Sequence, residues 1–185
     1  DSVERLIEEI RRLLKRSEEI ARKLIRDAEK LLEEHRRRVE ELNREIERKL
    51  EELDEKARRR GPTEELKDTV RKLREDLDRS LEDLRRHSER LKEELDRLLK
   101  ELEEHIERSK KRLDEIEEEV RKEGVPREAL EKIRKVIKEV KDTHRDLLRR
   151  VRDVIRRIRE ASKETERSHR EVIERVRKRL DELTK

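Results

Sequence analysis

Residues 3–57 read VERLIEEIRRLLKRSEEIARKLIRDAEKLLEEHRRRVEELNREIERKLEELDEKA, and this stretch decides the fold. Apolar side chains stand at Val3, Leu6, Ile10, Leu13, Ile20, Leu24, Ala28, Leu31, Val39, Leu42, Ile46, Leu50, Leu53 and Ala57. The steps between them are built from threes and fours, which is the spacing of one face of an α-helix. Ser17 and His35 interrupt that face and Asn43 stands beside it, while almost everything else is Glu, Asp, Lys or Arg. The rest of the chain repeats this plan. The second stripe runs from Leu66 through Leu77, Leu95 and Leu102 to Val120, and the third from Leu130 through Val140, Val151 and Ile158 to Leu183.

The whole chain has 185 residues, of which 59% are charged and 29% hydrophobic. A charge fraction that high ordinarily means disorder, because too little apolar surface is available to offset chain entropy. Here the apolar minority is strictly periodic, and that composition belongs to long packed helices. Lys and Arg number 57 against 53 Asp and Glu, a net charge of only +4, with the two signs interleaved. No cysteine is present, which removes disulfides and thiolate metal sites. No apolar run approaches the ~18 residues a bilayer span needs, and no targeting pattern is recognisable, so a soluble protein is expected. An opening on Asp1 rather than Met is the expectation for a trimmed chain.

Gly61-Pro62 and Gly124-Val125-Pro126 punctuate the sequence. Glycine just past a helix end and proline at the next start is the expected asymmetry. The predicted helices are therefore about 2–60, 63–123 and 126–184, each about 90 Å long at ~1.5 Å per residue. Asp1 or Ser2 can cap the first helix and Thr63 the second, while Val125 before Pro126 caps poorly and reads as an apolar plug. The mean apolar step of about 3.6 lies between the heptad and hendecad values, which predicts nearly straight helices. Short connectors make neighbours antiparallel. The expected fold is all-α: one domain, residues 1–185, forming an up-down-up three-helix bundle.

Doubled apolar positions such as Leu13-Leu14 and Leu31-Leu32 in the first helix, and Val136-Ile137 and Leu147-Leu148 in the third, widen the face of those two helices. Two explanations stand: the helices contact one another there, or a groove between them receives a further helix.

The uncharged polar residues are the informative ones. Away from the helix ends, Ser17, His35, Asn43, Thr69, Ser80, His87, Ser88, His105, Ser109, Thr143, His144, Ser162, Thr165, Ser168 and His169 all fall on a stripe or one residue from it. In an up-down-up bundle, residue i of the first helix lies level with about residue 123 − i of the second and about 125 + i of the third. Ser17 then meets His105 and Ser109, with Thr143 and His144 opposite. His35 meets His87 and Ser88, with Ser162 nearby. Asn43 meets Ser80, with Ser168 and His169 nearby and Thr165 close by on the same helix. A buried hydroxyl, amide or imidazole left without a partner costs about 1–3 kcal/mol. Clustering satisfies these groups, and a slipped helix would bury them against Leu or Val, so such layers set register.

Other chemistries fare worse. No histidine pair has the i, i+4 spacing of a helical zinc site. The neighbours His87-Ser88, Thr143-His144 and Ser168-His169 point about 100° apart on a helix, and no glycine-rich elbow accompanies them, so they do not make a nucleophile and its base. Interleaved Glu and the absence of aromatics argue against nucleic acid and against a membrane surface. No catalytic, cofactor-binding or metal residue is assigned, and no small-molecule ligand is expected.

The reduced alphabet, the connectors RRRGPTEEL and KEGVPREAL, and the confinement of Ser, Thr, His and Asn to matched levels resemble computationally designed helical bundles with buried hydrogen-bond networks. Spectrin repeats are similar in topology but use aromatics, Gln and Met, and shorter helices. The resemblance implies a structural or interaction protein without enzymatic activity. Its relatives include hairpins that pair as heterodimers, three-helix chains that accept one more helix, and histidine-network bundles that come apart in acid. As a monomer the chain needs no partner. The alternative is a designed homo- or hetero-oligomer in which a partner helix or a second copy completes the groove between the first and third helices.

Overall fold

The computed structural model describes residues 2–61 and 63–185, and three helices account for nearly all of them. They are α1 (Ser2–Arg60), α2 (Glu64–Lys122) and α3 (Arg127–Leu183). The cap expected from Asp1 and the role of Pro62 lie outside the described residues. Thr63 does cap α2: its Oγ1 accepts the Leu66 amide at 3.2 Å, satisfying one of the four amides a helix start leaves unpaired. Both helix-ending glycines are left-handed, Gly61 at φ 67° and Gly124 at φ 64°, a conformation that costs a Cβ-bearing residue strain. Val125 is half-buried and packs against the apolar cluster that includes Val120 and Ile133, as an apolar plug should. Arg58, Arg59 and Arg60 end α1, where the helix dipole favours cations.

The helices divide into two compact units. The first comprises residues 2–29 and 94–157, the second 30–93 and 158–185. In the first, Ile7 and Ile10 of α1 interlock with Leu113, Ile116 and Val120 of α2 and Ile133, Ile137 and Val140 of α3. In the second, Ile46 and Leu53 meet Leu66, Val70, Leu73 and Leu77 of α2 and Val172, Ile173, Val176 and Leu180 of α3. Each such side chain contributes about 1.5–3 kcal/mol by leaving water. No large hydrophobic side chain among the described residues is exposed.

Ion pairs on the rims report direction. In the first unit Arg112 grips Glu9 with two nitrogens, at 2.7 and 3.1 Å, and Lys141 reaches Asp114 at 2.8 Å. In the second, Lys49 pairs with Asp76 at 3.0 Å and Arg179 with Asp54 at 3.0 Å. Further pairs fix the sense: Arg152 meets Glu103 in the first unit, and in the second Arg38 meets Asp83, Arg177 meets Asp78 and Arg74 meets Asp181. Within each unit, numbers thus fall along α2 as they rise along its neighbours: up, down, up.

Candidate functional site: buried polar clusters

Ser17 is fully buried on α1. Its hydroxyl donates to the Leu13 carbonyl one turn back at 2.9 Å, the usual resort of a serine inside a helix. That uses its one proton and leaves two lone pairs. Both are taken: Nε2 of His105 on α2 and Nε2 of His144 on α3 each lie 2.9 Å from Ser17 Oγ. Two imidazoles therefore donate to one oxygen, and both carry their proton on Nε2. Ser109 is buried one turn along α2, with its Oγ 3.4 Å from His105 Nε2. Thr143, expected at this level, does not join. It is half-buried, and its hydroxyl donates to Glu139 of its own helix at 2.9 Å.

Burial keeps both rings neutral. His144 is pushed down to about 4, chiefly because its charged form would be desolvated and secondarily because His105 is beside it. His105 is lowered for the same first reason, with Arg108 and Arg16 adding repulsion.

The second cluster differs from expectation. His35 is buried, but its Nε2 lies 3.7 Å from Glu166 Oε1, too far for a hydrogen bond, and finds no other partner. The Ser88 hydroxyl donates to the same Glu166 oxygen. His87, expected to face His35, instead sets its Nε2 3.3 Å from Asp83 on its own helix, and that carboxylate also accepts from Arg38 at 2.6 Å. The i, i+4 carboxylate gives the half-buried ring a partner at this rim position. Ser162 is buried but donates to the Arg159 carbonyl at 2.8 Å. Desolvation lowers the pKa of His35, partly opposed by the Glu166 carboxylate and reinforced by His87.

Glu166 is the residue that sequence reasoning missed. It stands four residues after Ser162 and three before His169, hence on the stripe, and its side chain is only 14% exposed. Reading the stripe for carboxylates as well as for uncharged groups would have found it.

The third cluster is built around His169, which is fully buried. Its Nδ1 donates to Asn43 Oδ1 at 2.5 Å, and its Nε2 accepts from the Ser80 hydroxyl at 2.9 Å. Both ring nitrogens are satisfied by groups from the other two helices. Burial lowers its pKa, with Arg170 contributing. Two neighbours depart from the expected layer. Ser168 is exposed, because the helical turn that buries His169 carries the adjacent position outward. Thr165 donates to the Ala161 carbonyl at 2.9 Å. Thr69 likewise bonds within α2, to Glu65.

No group of three or more His, Asp or Glu among the described residues is placed to hold a metal. Among the described residues no helix is long and apolar enough to cross a membrane.

Fold and interior together define an all-α three-helix bundle with discrete buried polar clusters. Among solved structures the chain is similar to a protein described as a computationally designed three helix bundle, with 23% identity, a TM-score of 0.45, and 99% of this chain and 86% of that chain covered. No family model and no curated protein matches it.

Proposed function

We propose that this chain is a structural or interaction scaffold of designed origin with no natural enzymatic activity, and that its buried polar clusters set helix register and make it acid-sensitive. The observation that supports this most is the Ser17 cluster. One hydroxyl satisfies two imidazoles from two other helices, so displacing any helix leaves donors without acceptors. Residues 1–185 act as one domain in this reading, since each helix runs unbroken through both compact units. The test replaces Ser17→Val, His105→Leu and His144→Leu together. Helix content should persist while amide resonances double or broaden as registers mix. A single sharp set of resonances would overturn the reading.

A second reading keeps the groove between α1 and α3 for a partner helix or a second copy. It is favoured by Leu13, Leu14, Leu31 and Leu32, which stay only half-buried. Light scattering after size exclusion separates the two: a mass near 22.9 kDa supports the self-sufficient scaffold, and a multiple of it the assembly.

A further inference from the structure

A hollow of about 420 Å³ opens between α1 and α2 of the first unit, and the half-buried ring of His105 forms part of its wall. Arg16 and Lys23 face it from α1 and Arg108 from α2, over an apolar floor of Ile20 and Leu24. Glu19 and Glu101 line it too. Several arginines near the polar clusters are committed elsewhere: Arg112 to Glu9, Arg152 to Glu103, Arg38 to Asp83. On the arginine-rich surface of α3, Arg149 pairs with Asp146 and Arg156 with Asp153. Arg16 and Arg108 make no ion pair among the described residues, yet both stand close enough to His105 to oppose its protonation.

Two guanidiniums and an imidazole lining one hollow supply the kind of donors a tetrahedral oxyanion takes, since guanidinium forks bind it with paired N–H groups. We propose that Arg16, Arg108 and His105 form a site for an oxyanion of the phosphate or sulfate class, taken up together with a proton on His105. Three cations and two carboxylates leave the wall with one net positive charge while the ring is neutral, and protonation makes it two. His105 keeps Nε2–H on Ser17, and its other nitrogen gains the proton. An anion cancels the repulsion from Arg16 and Arg108 that resists this step, so anion binding and proton binding must favour each other reciprocally. His144 faces the same ring across Ser17 from α3 and stays neutral, because two cations sharing one oxygen would lie within about 6 Å of each other. The site stands on this geometry whether or not acid loosens the bundle.

The probe is sodium sulfate, whose charge is constant across the range, against sodium chloride at equal ionic strength. Histidine ring resonances of the folded protein are followed at pH 6.5, and the His105 titration is repeated with each salt. Saturable shifts confined to His105 and its cluster, and a higher apparent pKa in sulfate, are the expected result. Arg16→Gln with Arg108→Gln should weaken sulfate binding at least tenfold, whereas Arg145→Gln with Arg149→Gln should not. Equal effects of sulfate and chloride would overturn the site, as would shifts shared by all five histidines. The wild-type titration decides the matter even should the double variant fold poorly. A protein equally stable at pH 7.5 and 5 would count against the acid reading alone.

Discussion

Nε2 of His144 donates to Ser17 Oγ across 2.9 Å, while the same oxygen also holds His105 and gives its only proton to the Leu13 carbonyl. The two rings therefore donate to one buried oxygen, and no carboxylate hydrogen-bonds to either of them to offset a positive charge.

Acid should loosen the protein. An unfolded histidine takes up its proton near pH 6.5, whereas His144 in the fold does so only at about 4. The unfolded chain binds more protons between those values. The stability this group provides is complete above about pH 6.5 and is lost as pH falls toward 4. At pH 5 His144 alone accounts for about 2 kcal/mol. His35, His105 and His169, all shifted the same way, add to it. Urea midpoints at pH 7.5 and pH 5 measure the loss, and His144→Leu should flatten it. Unchanged midpoints would contradict the prediction.

Two buried serines should respond differently to alanine. Ser17→Ala strands two imidazole N–H donors and should cost about 2–3 kcal/mol. Ser162 bonds only its own helix, so Ser162→Ala removes a donor together with its need and should change stability by less than about 1 kcal/mol. Chemical denaturation of both variants at pH 7.5 makes the comparison, and equal losses would refute it.

His35 is the weak point of the interior. Its buried Nε2 has no partner, a defect worth about 1–3 kcal/mol. His35→Leu should therefore stabilise the protein at pH 7.5, by about 1–2 kcal/mol, and make it less acid-sensitive. A destabilised His35→Leu protein would show that the imidazole is better satisfied than its 3.7 Å separation from Glu166 implies.

The Arg112–Glu9 pair has good geometry, and it holds the Glu9 carboxyl below its usual range. Both side chains remain about one-third exposed, where solvent and salt screen the attraction. A double-mutant cycle with Glu9→Gln and Arg112→Gln should return a coupling of at most about 1 kcal/mol, smaller still in 0.5 M NaCl. A coupling of about 3 kcal/mol would mean the rim charges carry more of the fold than the core argument allows.

Most of the architecture is written locally. The three- and four-residue apolar steps, two glycine punctuation marks and Thr63 determine where each helix lies and which face it buries, because those preferences act over a single turn of chain. The levels at which Ser17 meets His105 and His144, and at which Asn43 and Ser80 share His169, follow from helix rise and connector length alone. Only the folded packing decides which hydroxyls cross between helices. Thr143, Ser162 and Thr165 face a nearer acceptor, the carbonyl one turn back on their own helix, and periodicity cannot weigh that competition. The same holds for His87, which stands at the rim beside Asp83, and for Glu166, a largely buried carboxylate that accepts from Ser88. A sequence records where a side chain stands on its helix; which partner it takes depends on distances set by all three helices at once.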